Sequence, residues 1–97
     1  MPTIQNSGSQ LLTADGVVGV SGRAVRVFSV HIISGGTAAV VSFKNGTAAG
    51  DTSWVTETGT ISTGKTVDFG CNGILFPAGC FVDCDTNTTS VLVNYSL

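Results

Sequence analysis

Apolar and polar residues alternate along most of this chain, and turn-forming residues interrupt the alternation about every ten positions. A period of two puts successive side chains on opposite faces of a strand, so the pattern predicts an all-β protein. No useful window carries the helical period. The clearest strand covers residues 23–34, where Arg26, Phe28, Val30 and Ile32 share one face and Val25, Val27, Ser29, His31 and Ile33 the other. Both faces are largely apolar, which predicts a central strand covered on both sides or packed against a partner.

Gly35 and Gly36 read as a hairpin turn into a strand at 37–44, closed by Asn45-Gly46, a pair suited to a type I′ turn. Residues 52–58 alternate again, and short strands follow between 60 and 76. Pro77-Ala78-Gly79 reads as a turn. Residues 80–85 and 89–95 read as a last hairpin, and upstream 10–13 and 17–20 flank an Asp15-Gly16 turn. Eight or nine short strands with no helix must close as a sandwich or barrel, because an open sheet of that size leaves its edges bare. The expectation is a single small jelly-roll-like β-sandwich over residues 11–97, with 1–10 as a polar N-terminal arm. An immunoglobulin-like sandwich fits less well, since Trp54 precedes all three cysteines instead of lying between two of them.

Composition changes this picture in one respect. Of 97 residues only six are acidic and four basic, giving a net charge of -2, whereas a soluble domain is about one quarter charged. Thr, Ser, Asn and Gly take the place of ions, and the mean hydropathy is +0.40. A small body with so few charges fits a surface that other protein covers. Four scattered cations form no basic stripe, so neither nucleic acid nor a membrane is an expected partner. The first residues lack the cationic start and apolar run of a secretory signal, and no segment is long and apolar enough to span a bilayer as a helix.

Candidate chemistry is sparse. The one histidine, His31, lies mid-strand between Val30 and Ile32, a place suited to a hydrogen-bonded core or interface residue more than to a catalytic base. Cys71, Cys80, Cys84 and His31 form a sound zinc donor set with the wrong spacing, because Cys80 and Cys84 would stand about 13 Å apart along one strand. That separation also excludes a disulfide between those two, while Cys71 could meet either across a sheet; three buried, reduced thiols are the simpler reading. Asp83 and Asp85 imitate the opening of a calcium loop, but Thr88 and Asn94 stand where it needs glycine and glutamate, so turn formation is the simpler role. Three glycosylation sequons follow from the Asn/Thr/Ser-rich composition. No cofactor and no metal is expected. Trp54 can cap one end of the core or anchor a subunit contact. Thr52, Thr56, Thr58 and Thr60 form an uncharged hydroxyl row beside it.

The stretches Val30-His31-Ile32-Ile33-Ser34-Gly35-Gly36-Thr37, Asn45-Gly46-Thr47, Asn72-Gly73-Ile74-Leu75-Phe76-Pro77-Ala78-Gly79-Cys80-Phe81-Val82-Asp83 and Thr88-Thr89-Ser90-Val91-Leu92-Val93-Asn94-Tyr95 together resemble small virion proteins of tailed bacteriophages, marine and cyanobacterial ones in particular. The resemblance implies a capsid decoration (cement) protein: a small β-sandwich, often trimeric, that sits on the outer capsid surface across contacts between major capsid subunits. It implies no catalytic residues. The expected function is therefore non-enzymatic and structural. The expected partners are the major capsid protein and copies of the chain itself, a homotrimer, made in the host cytoplasm and ending in the virion. Ile4, His31, Trp54, Thr56 and Thr58 are the candidate subunit contacts. The alternative is a receptor- or glycan-binding module of a tail fibre or knob, in which Trp54 and Tyr95 would supply the aromatic surface.

Overall fold

The computed structural model describes residues 7–61 and 64–97. Nine strands appear in the order β1 (Ser7–Leu12), β2 (Gly16–Val18), β3 (Val25–Ser34), β4 (Val40–Asn45), β5 (Thr52–Thr58), β6 (Gly64–Asp68), β7 (Ile74–Phe76), β8 (Cys80–Cys84) and β9 (Thr88–Ser96). Among the described residues there is no helix. One sheet has the order β1-β9-β3-β6, with β7 also on β3, and the other has the order β2-β8-β4-β5.

Every pairing is antiparallel, and the pairings are nested. β1 pairs β9, β2 pairs β8, β3 pairs β6, and β4 pairs β5. First with last, second with next to last, and so inward, is the winding of an eight-stranded jelly roll. β7 is an addition to it, pairing with Val25–Val27 of β3 while β6 pairs with Ser29–Ile33. The chain expected as a jelly-roll-like sandwich is one.

Valine dominates the core. Val18, Val25, Val27, Val30, Val41, Val82, Val91 and Val93 are buried with Ile32, Ala39, Phe43, Phe76 and Cys80. Branched side chains suit this position because the extended backbone already restricts their rotamers, and they fill the space between two pleated surfaces. Phe43 and Phe69 meet edge to face across the two sheets, at 6.4 Å between ring centroids.

Several expectations need correction. The pairing of β3 with β9 shifts register between Val27 and Ser29, so Phe28 is an extra, bulged residue. A one-residue shift exchanges faces. Val25 and Val27 therefore point the same way as Val30 and Ile32, into the core, and the strand is not covered on both sides. His31, read as buried, lies on the outer face and is partly exposed. The two expected hairpins at Gly35-Gly36 and at 86–88 are crossovers, since β3 and β9 belong to one sheet and β4 and β8 to the other. Turn chemistry is the same for a hairpin and for a bend between sheets, so sequence could not separate them. The segment at 60–62 forms no strand at residues 60 and 61, and 62 lies outside the described residues. Of the arm expected over 1–10, residues 7–10 belong to β1, paired in register with β9, and 1–6 lie outside the described residues.

Candidate functional site

Strand β5 is the edge of its sheet and carries three of the proposed contacts. A register shift opposite Phe43 and Lys44 leaves Trp54 as the bulged residue. Its ring stacks on the buried Phe76, 5.6 Å between centroids with the planes 28° apart, and stays 47% exposed. Trp54 thus closes one end of the core with one face and shows the other to solvent. Val55 packs against the core, so Thr56 and Thr58 point outward by alternation and are exposed. The Thr56 hydroxyl meets that of Ser42 at 3.2 Å. The bulge reverses the alternation, so Ser53, opposite Lys44, lies on this outer face while Thr52, opposite Asn45, does not, and the expected threonine row is broken at Trp54. This outer face also holds Lys44, whose ammonium sits 3.1 Å from the Asp83 carboxylate and donates to the Ala49 carbonyl.

His31 occupies the outer face of the other sheet, in a row that runs Leu11, Leu92, His31, Thr66 across four strands. Its Nδ1 lies 2.8 Å from Thr66 Oγ1. Gly64 makes room for the ring, because a Cβ at that position would stand 2.2 Å from Nε2. His31 and the β5 threonines therefore face opposite ways, and no single flat contact includes both. Ile4 lies outside the described residues.

The few charges show a common use. Asp85 accepts from Val40 N, Asn87 N and Thr88 Oγ1. Asp51 accepts from Thr47 N and Ala48 N, Asp68 from Gly70 N, and Asp15 from Cys84 N. Arg26 donates to the Asn72 carbonyl. Lys65 donates to Thr58 O at 3.0 Å and pairs with Glu57 at 3.6 Å, joining the edge strands β6 and β5 across the sandwich. With Lys44 and Asp83 this engages nine of the ten charged side chains; among the described residues only Arg23 has no partner. Charge here pins turns and edges. The outer faces carry mainly hydroxyls, amides and aliphatic groups, with the Lys44–Asp83 pair among them.

The cysteines are free thiols: Cys80 buried, Cys84 half-buried and Cys71 exposed. The expectation of three buried thiols therefore holds for Cys80 alone. Desolvation pushes the Cys80 thiol up to about 12. Burial, reinforced by Asp15, Asp83 and Asp85, pushes Cys84 up to about 11. An open cleft of about 460 Å3 lies beside it, lined by Thr13, Asp15, Asp85, Thr86 and Thr88 among others. Its two carboxylates already bond within the fold, and among the described residues no cluster of His, Cys, Asp or Glu is arranged to hold a metal ion.

Sequence reasoning missed the Lys44–Asp83 pair, which only the register of β4 against β8 brings together, and it missed Leu11. Compared with protein-family models, curated proteins and solved structures, the chain matches none of them.

Proposed function

We propose that this chain is a non-enzymatic structural protein that docks, as a self-associating unit, on a larger protein shell. In this reading it decorates the outer capsid surface of a tailed phage and cements the shell by bridging major capsid subunits. One observation carries it: the chain has only ten charges, and nine of them are hydrogen-bonded or ion-paired within the chain, so few are left for an outside partner. Removing an unpaired ion from water costs several kcal/mol, whereas a hydroxyl that finds a partner across a contact loses little. A surface of Thr, Ser and Asn is cheap to dehydrate, and several weak contacts made together become a strong attachment.

The test is co-sedimentation with capsid shells assembled without this protein. Saturable binding that raises the melting temperature of the shell supports the reading, and no binding at any concentration removes it. A charge placed on the exposed β5 face, as in Thr56→Glu, should weaken attachment at least tenfold.

A second reading has its own observation. The free face of Trp54, set among Thr52 and Ser53, has the character of a small sugar-stacking platform. A tail-fibre or knob module that binds glycans would use it so. Glycan-array binding that disappears in Trp54→Ala, in a protein that ignores shells, would favour that reading.

A further inference from the structure

A sandwich has four edge strands, and each presents a row of unpaired backbone N–H and C=O groups unless something protects it. Here β6 and β7 share the edge beside β3, and three of the four edges are protected; β7 itself has only three residues, Ile74–Phe76. β2 has only three residues, Gly16–Val18. β5 is bent by the bulge at Trp54 and turns Glu57 toward the sandwich interior. β6 turns Lys65 inward, where its ammonium ties β6 to Thr58 O and Glu57. β1 has none of these devices. Its six residues, Ser-Gly-Ser-Gln-Leu-Leu, contain no charge and no proline, and they pair with β9 in unbroken register from Ser7 to Leu12. Gln10 ties the strand to the β2 segment, donating to Val17 O and accepting from Gly19 N. On its outer face Leu11 is 61% exposed, the highest value among the large hydrophobic residues described.

We propose that the free edge of β1 is the self-association surface, and that it pairs with β1 of a second copy, antiparallel, about a two-fold axis. Alternate residues of β1 turn their N–H and C=O away from β9, and an antiparallel copy of the same strand satisfies them on both sides at once. An isologous contact needs a self-complementary patch. The register that sets Leu11 opposite its counterpart supplies one, a short ladder in which Gln10, Leu11 and Leu12 of one copy face Leu12, Leu11 and Gln10 of the other. It joins the Leu11–Leu92 rows of both copies into one apolar stripe, with no like charges opposed. The two β1–β9–β3–β6 sheets then continue as a single sheet. The symmetry is two-fold, which departs from the trimer that the virion-protein resemblance implies.

This deepens the self-association part of the proposed function, and its test is separate, because copies can pair whether or not they bind a shell. Sedimentation of the purified chain should show a dimer. Leu11→Lys should convert it to a monomer that keeps its circular dichroism and cooperative melting and loses only the concentration-dependent part of its melting temperature, while Ile61→Lys, at another exposed apolar site, should leave the dimer intact. In a Cys71→Ser background, Leu11→Cys should be joined in pairs by a short bis-maleimide and Ile61→Cys should not. A monomer at every soluble concentration, a trimer, or a dimer indifferent to Leu11→Lys and not linked through Leu11→Cys would overturn the proposal.

Discussion

Four hydrogen bonds converge on the Asp85 carboxylate, from Val40 N, Asn87 N, the Asn87 amide and the Thr88 hydroxyl. Desolvation acts to raise its pKa, but these donors together outweigh it and hold the group below the usual carboxylate value. A carboxyl whose folded pKa is depressed stabilises the fold above its unfolded pKa of about 4, and that stability disappears as pH falls through the folded value. Asp85→Ala should therefore lower stability at neutral pH, by about 0.5–1 kcal/mol because solvent screens the group. Its acid denaturation curve should be flatter below about pH 4 than that of the wild type. Equal acid slopes in chemical denaturation would contradict this. The thiols make a second test at the same scale. Cys80 and Cys84, raised to about 12 and about 11, stay protonated at neutral pH, and only the thiolate is the nucleophile. A disulfide reagent should label Cys71 quickly in the native protein and all three cysteines only after unfolding. Asp85 was readable from sequence as a turn-former because an aspartate two residues before an asparagine makes a local bond. Its bond to Val40, 45 positions away, was not.

Period-two alternation located the strands well, and β5 falls on the expected residues 52–58. It failed where a strand breaks its own period. In β3 the bulge at Phe28 hid the true face assignment, so a one-sided strand read as apolar on both sides. Composition gives no signal for a bulge, which depends on the partner strand's register. The same cause hid the role of Trp54 in β5. A deletion experiment follows from the geometry. Removing Phe28 should leave Val25, Val27, Val30 and Ile32 in their present facing, because only the extra residue is lost. Removing Val30 should turn half the strand inside out. Circular dichroism and thermal melting should find the Phe28 deletion folded, with a melting temperature reduced by the loss of the Phe69 N bond to Phe28 O. The Val30 deletion should be unfolded. If both fold, or neither does, the assignment of Phe28 as the bulge is wrong.

At the scale of the molecule, the nested strand pairs and the internal use of charge act together. Contacts that hold the fold join distant parts of the chain, and no single hairpin other than β4–β5 can form from neighbours in sequence. Folding should accordingly be slow, in the millisecond-to-second range of all-β domains. With the ions committed to turns and edges, attachment to any partner through the outer faces should not depend on long-range attraction. Affinity for shells should change less than about twofold as salt is raised across the range where the screening length falls from about 10 to 3 Å. A steep loss of binding with salt would point to Arg23 and unpaired partner charges instead. The nested winding has one more consequence, for how the protein can be handled. Ser7 stands opposite Ser96, so both ends of the sandwich leave from one spot. A passenger fused to either end would therefore be displayed at the same place. A short Gly/Ser tether from residue 97 back to 7 should permit new termini at the exposed Gly36-Thr37 bend without altering a single strand pair.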